Sequence, residues 1–216
     1  MNNYINYLRY FIFIILASFL QSCDQISVLS NKKNSAVAIS SVTSSHISEK
    51  IPSYNRKFYK HWSDSNRNCL DTRQEILLER SIVAPTLNKK KCKVKAGLWK
   101  DFYYAEELVD VKEIDIDHIV PLKNAHESGA HAWPSEKKEI FANDLENLVI
   151  TNKRYNRQKG SKTIAQWLPV EKEYACKYIH NWIHIKEKYQ LKLSPEENQT
   201  IAQMGSNCQD FKKISH

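Results

Sequence analysis

Two short stretches hold the residues whose types and spacing could do chemistry. In Ile114–Leu122, I-D-I-D-H-I-V-P-L, Asp117 and His118 stand side by side at the end of an apolar/acidic alternation. In Asn147–Gly160, N-L-V-I-T-N-K-R-Y-N-R-Q-K-G, Asn147 and Asn156 are nine residues apart, and Lys159 and Gly160 follow. A neutral imidazole can take a proton from water. A carboxylate and an amide oxygen are hard ligands that suit Mg2+ or Mn2+ better than Zn2+. Lysine and arginine hold phosphates. These are the parts of a site that cuts phosphodiesters: His118 as base, Asp117 and Asn156 as metal ligands, and Arg154, Arg157 and Lys159 as phosphate contacts. An Asp-His dipeptide alone is a weak signal, and the second segment is what makes it strong. Asp115 reads more readily as a solvated or capping carboxylate than as a ligand. For Arg73, a phosphate contact and a structural pairing with a core carboxylate stand level.

The elements that must position these groups follow from periodicity. Ile114 and Ile116 alternate with Asp115 and Asp117, which predicts a strand with isoleucines on one face and aspartates on the other. His118 then points away from Asp117, so the two serve different partners. Pro121 opens a turn or a helix. Leu148–Ile150 reads as a brief buried strand. Asn152 to Lys159 reads as a polar, basic helix ended by Gly160, with Asn156 and Lys159 adjacent on one face. Strand, loop, strand and helix make a small ββα platform.

That pattern resembles the HNH endonuclease superfamily, the ββα-metal fold. Its surroundings are similar to a secreted bacterial HNH branch related to the C-terminal domain of GmrSD-type restriction enzymes. The resemblance runs from about Ser53 to Cys208 and is carried by His61-Trp62, Cys69 to Glu75, Gly97-Leu98-Trp99 and Asp115 to Leu122. It continues through Ser128-Gly129-Ala130, Trp133, Phe141 to Asp144, Asn147-Leu148, Asn156-Arg157, Lys159-Gly160, Trp167-Leu168-Pro169, and Tyr174 with Cys176. It implies His118 as general base, Asp117 as metal ligand, and Asn147 as the asparagine that braces the loop between the strands. Asn156 takes the place of the final histidine, an H-N-N variant. The implied products carry 5′ phosphate and 3′ hydroxyl ends. No paired cysteines surround Thr151 to Tyr155, so a zinc knuckle is not expected. The fold class expected is α+β: a small ββα-metal core with a β-hairpin, embedded in a mainly helical single domain stapled by disulfides.

The N-terminus bears on where such chemistry would happen. Residues 1–22 carry one charge, Arg9, ahead of the apolar run Phe11–Leu20, which is too short for an ordinary spanning helix and fits the core of a secretory signal. Leu20, Ser22 and Cys23 resemble a lipobox, with Cys23 as the lipidated residue; ordinary signal cleavage and an uncleaved anchor are the alternatives, since Gln21 is not a favoured residue at its position. Residues 23–50 are rich in Ser, Asn and Lys without an aromatic, the composition of a flexible tether. The folded domain is then 51–216. Setting Cys23 aside leaves Cys69, Cys92, Cys176 and Cys208 without a C-x-x-C pair, which suits two disulfides in an oxidising compartment. Three pairings are possible. Cys69–Cys92 with Cys176–Cys208 is favoured, because each closes a local loop and the pairing fits the secreted relatives; four reduced, buried cysteines are the alternative.

Supporting elements are expected as follows: a capping box at Thr72–Glu75 opening a helix to Arg80, and a hairpin over Lys93–Tyr104 turning at Gly97. Next come a helix from Ser135 carrying Ile140 and Phe141 inward, a short helix Thr163–Leu168, and an amphipathic helix from Val170 to Gln190. A last helix opens at Ser194. His61 reads as an aromatic neighbour of Trp62, His126 and His131 as bystanders, and His180 with His184 as a helix-face pair. The net charge of +8, with Lys153, Arg154, Arg157, Lys159 and Lys162 beside the site, fits phosphate-backbone contact with little sequence preference. The partners implied are nucleic acid (DNA, with RNA open) and a membrane reached through the lipid; no protein partner is implied. Two rivals remain: a non-catalytic nucleic-acid-binding envelope lipoprotein on the same scaffold, and an envelope structural protein.

Overall fold

The computed structural model describes residues 50–208. The signal segment, Cys23 and all but the last residue of the tether lie outside them. Along the described chain run α1 (Thr72–Glu79), β1 (Thr86–Leu87), β2 (Val94–Ala96), β3 (Trp99–Lys100), β4 (Glu107–Leu108) and β5 (Ile114–His118). Then follow α2 (Leu122–Glu127), α3 (Ser135–Ala142), β6 (Leu148–Asn152), α4 (Lys153–Lys159), α5 (Lys172–Lys188) and α6 (Pro195–Cys208). The class is α+β, with three two-stranded antiparallel ribbons: β1–β2, β3–β4 and β5–β6. No helix among the described residues is long and apolar enough to cross a membrane.

The β5–β6 ribbon organises the rest. Its register runs from Ile114 opposite Asn152 to His118 opposite Leu148, and cross-strand partners share a face. Ile114, Ile116, Leu148 and Ile150 therefore lie together, and they pack with Ile76 and Leu77 of α1, Val94, Trp99 and Leu108. Val149, on the opposite face, joins the larger core of Tyr103, Phe141, Tyr178, Ile179, Trp182 and Ile185. Most of that second core comes from α5, whose apolar positions recur at helical spacing and bury Tyr178, Trp182 and Ile185 completely. Each such side chain contributes about 1.5–3 kcal/mol. The disulfides Cys69–Cys92 and Cys176–Cys208 close loops of 23 and 32 residues, and restricting the unfolded chain is worth about 3 kcal/mol each.

Local chemistry moved several expected boundaries. The cap of α1 is Asp71, whose carboxylate accepts from the Gln74 N–H at 2.9 Å. Thr72 instead donates its hydroxyl to Ser63 O and Asn143 Oδ1. A reciprocal Ser/Glu capping box does occur at α6, where Ser194 N donates to Glu197 Oε2 and Glu197 N donates to Ser194 Oγ. Gly97 is not a hairpin turn but the joint between two ribbons, β2 pairing back to β1 and β3 forward to β4. A side chain there would meet Ser81 Oγ at 2.6 Å and the Trp99 ring at 2.7 Å, so the close approach requires glycine. Thr163–Leu168 makes only a turn, closed by Gln166 and Trp167 N–H groups on Thr163 O. On α3 Phe141 is fully buried, whereas Ile140 faces solvent.

Candidate active site

Strand alternation sends Asp115 and Asp117 to the face covered by α4, and His118 to the other. Asn152 caps α4 by accepting from Arg154 N at 2.9 Å, and Gly160 ends it with a φ of +55°. One helical turn separates Asn156 from Lys159 and one strand repeat separates Asp115 from Asp117, so the rungs match. Asn156 Nδ2 donates to Asp115 Oδ2 at 3.0 Å, and Lys159 Nζ lies 2.8 Å from Asp117 Oδ2. A carboxylate only accepts, so Asp115 turns the amide nitrogen of Asn156 towards itself and frees Oδ1 of Asn156 to face elsewhere.

Asp117 is held firmly. Besides Lys159, its Oδ2 accepts the Tyr103 hydroxyl at 2.7 Å, leaving Oδ1 without a protein partner among the described residues. Lys159 is fully buried and also donates to the His118 carbonyl at 2.8 Å. The expected phosphate contact is therefore corrected: the Lys159 ammonium is spent inside the domain, tying α4 to the end of β5. A buried charge without that pairing would be costly. Tyr103 was missed in the sequence, because a tyrosine upstream of the motif carries no local sign of reaching Asp117. Its hydroxyl is pushed well above its ordinary pKa, by burial first and then by Asp117, so it remains a donor.

His118 is nearly fully buried, and its Nε2 sits 2.9 Å from the Ala142 carbonyl at the end of α3. A carbonyl only accepts, so Nε2 carries the hydrogen and Nδ1 is the bare, basic nitrogen. Among the described residues the single buried side-chain polar atom lacking a partner is Trp182 Nε1. Nδ1 of His118 makes no hydrogen bond either, and is therefore open to solvent. Burial lowers the His118 pKa to about 3; the Ala142 bond opposes the shift, and the charges of Arg56, Lys159 and His61 add to it. His118 is neutral throughout the physiological range.

Arg56, His61 and Trp62 form the surroundings of this ring. Trp62 lies 6.3 Å from it, ring centre to ring centre, and His61 packs edge-on to Trp62 at 5.3 Å. Arg56 approaches His61 Nε2 at 3.5 Å. Arg56 lies far from both motifs in sequence, and only the fold brings it near His118.

Asn147 is fully buried. Its Oδ1 accepts from Val120 N at 2.9 Å, its Nδ2 donates to Val120 O at 3.3 Å, and its own carbonyl accepts from Ile119 N at 2.8 Å. It clamps the segment following His118 to the start of β6. Arg73 donates to the Ile114 carbonyl at 2.8 Å, with Asp115 and Asp71 as its nearby anions; it braces the beginning of β5. Arg154 is exposed, stacked 4.6 Å over Tyr155 and paired with Glu106 at 3.4 Å. Arg157 is exposed on α4. The remaining histidines lie elsewhere: His126 is buried between Tyr59 and the Pro52 carbonyl, His131 bonds the His126 carbonyl, and His184 pairs with Glu146 at 2.7 Å.

Residues 54–204 match the family model described as GmrSD restriction endonucleases, C-terminal domain. An uncharacterized secreted protein of Arthroderma benhamiae is 31% identical over 157 residues, covering 72% of this chain and 76% of that protein. No solved structure matches significantly. The ribbon, the clamped loop and the helix thus sit within a match that spans most of the chain: it belongs to the family of GmrSD restriction endonuclease C-terminal domains, an HNH-type nuclease family.

Proposed function

We propose that this domain is an exported, metal-dependent endonuclease that hydrolyses phosphodiester bonds, chiefly of DNA, with little sequence preference. The observation that carries the reading is His118: neutral, fixed through Nε2, and presenting a bare Nδ1 at the end of the strand whose Asp117 carboxylate is held in place by Tyr103 and Lys159. In the reaction Nδ1 takes a proton from water while the water oxygen bonds to phosphorus and the bond to the 3′ oxygen breaks, that oxygen taking a proton from solvent to become the 3′ hydroxyl. The imidazolium so formed keeps its Nε2–H on the Ala142 carbonyl. Its low basicity in the free domain comes partly from Arg56 and Lys159. An arriving phosphate offsets those charges and raises the affinity of Nδ1 for the proton.

The donor set fits a hard divalent cation, since Asp117 Oδ1 and Asn156 Oδ1 are oxygens without protein partners among the described residues. Asp117 and Asn156 would hold Mg2+ or Mn2+, which supplies charge stabilisation to a phosphate oxygen and to the departing 3′ oxygen. Tyr103 and Lys159 orient Asp117, Asp115 orients Asn156, and Asn147 fixes the backbone after His118. Arg154 and Arg157, exposed on α4, would contact neighbouring phosphates. Two disulfides and a secreted relative support export, and Cys23 would supply a lipid anchor to the envelope.

Incubation of the oxidised domain with plasmid DNA and with RNA, with Mg2+ and with chelator, tests the proposal. Nicking and linearisation that require the cation are expected. Intact plasmid under every condition, or cleavage indifferent to chelator, would overturn it.

A further inference from the structure

A second basic surface lies outside the site. Asn88 to Lys95 reads N-K-K-K-C-K-V-K, five lysines in a run of seven residues, and it forms the connection from β1 into β2. All five, Lys89, Lys90, Lys91, Lys93 and Lys95, are exposed. None takes part in an ion pair among the described residues.

An unconstrained lysine run spreads by self-repulsion, yet this one is tied down at several points. Cys92 is bonded to Cys69. Asn88 Oδ1 accepts from the N–H groups of Cys92 and Lys93 at 2.9 and 3.2 Å, and Asn88 O accepts from Lys91 N at 2.8 Å. Lys91 is held at a φ of +56°, a left-handed conformation that lysine rarely adopts. Val94 turns into the core, its N–H on Gln74 Oε1 at 2.8 Å, so its neighbours Lys93 and Lys95 point outward together. The disulfide also brings in the loop carrying Arg67, likewise exposed. Exposed like charges held on one short, fixed connection suit a polyanionic partner.

We infer that this disulfide-stapled lysine hairpin is a second docking surface for the phosphate backbone of duplex DNA, separate from α4. The choice of DNA rests on the nuclease reading above. The Asn88–Lys95 run carries no aromatic or leucine to insert into a lipid interface, as amphipathic lipid-binding segments do, and its one valine is buried. Lys93 and Lys95 are roughly 7 Å apart along extended chain, about two phosphate steps on one strand at about 3.4 Å each along the duplex axis. Its consequence would be a DNA contact larger than α4 alone supplies.

Binding of the oxidised His118→Ala domain to a short fluorescent duplex in chelator, measured across salt concentrations, tests this. Replacing all five lysines by glutamine should make the log–log salt slope shallower by about two units or more, at about 0.9 per phosphate contact, and weaken binding about tenfold or more near 0.15 M salt. Replacing them by arginine should preserve slope and affinity, and near-ultraviolet circular dichroism should show both variants folded. An unchanged slope in the glutamine variant would overturn the inference, as would loss of binding in the arginine variant. So would loss of binding to phosphatidylglycerol vesicles with DNA binding intact, which would identify a lipid surface as the partner. Parental protein that binds DNA through the hairpin but cuts nothing with Mg2+ would sink the nuclease reading and leave this one standing.

Discussion

At the level of single residues, His118 carries two separable expectations. His118→Ala should lose about 10²–10⁴-fold in cleavage rate while keeping its fold and its DNA affinity; turnover near the parental rate would remove His118 from the role of base. The same residue makes the fold sensitive to acid. Its pKa of about 3 in the folded state lies below the ordinary 6.5, so the unfolded chain binds a proton that the folded domain refuses. Stability is full above about pH 6.5 and declines as the pH falls from there towards 3. His118→Gln should flatten that decline, as read from thermal midpoints at successive pH values; an identical profile in both proteins would show that other groups control it. Tyr103→Phe removes one hydrogen bond from Asp117 and little volume. It should raise the Mg2+ concentration needed for half-maximal cleavage while Tm shifts by only a few degrees. An unaltered metal requirement would mean that Tyr103 does not position the ligand. The motif residues were legible because Asp117, His118, Asn147 and Asn156 are close in sequence to the strands and helix that present them. Tyr103, Arg56 and the burial of Lys159 were not, since each is defined by a long-range contact that leaves no periodic trace.

Among the elements, the ribbon β5–β6 and helix α4 came out as read because strand alternation and the Asn152 and Gly160 caps are local signals. The helix opening at Ser135 came out as read too, whereas the cap of α1 and the two-ribbon path through Gly97 depended on competition between neighbours. Asp71 outcompeted Thr72 as cap because Thr72 found Ser63 and Asn143, both remote in sequence. The joint between β5 and α4 rests on two side chains whose loss should act differently. Lys159→Met leaves Asp117 buried without its cation and should cost about 3–5 kcal/mol. Asn147→Ala leaves the Val120 N–H without an acceptor in the core and should cost about 1–3 kcal/mol. Denaturant titration distinguishes them. A Lys159→Met protein as stable as the parent would mean that the buried pair contributes nothing to holding α4 on the ribbon.

For the molecule as a whole, the pairing of charge with covalent closure says most about its setting. A net charge of +8 favours polyanionic partners, and two disulfides favour an oxidising compartment. The two crosslinks are not equivalent. Cys69–Cys92 fastens an exposed hairpin to the start of α1, whereas Cys176–Cys208 joins the buried face of α5 to the end of α6. Selective removal should separate their roles. Cys176→Ala with Cys208→Ala should lower Tm by roughly 6–12 °C, from about 3 kcal/mol of lost chain restriction at about 2–4 °C per kcal/mol, because helix packing in the main core loosens. Cys69→Ala with Cys92→Ala costs similar chain entropy but frees the lysine loop as well, so it should also flatten the salt dependence of DNA binding. Differential scanning calorimetry and the binding titration read the two effects independently. If both double variants keep the parental Tm, the crosslinks are not what holds this domain together.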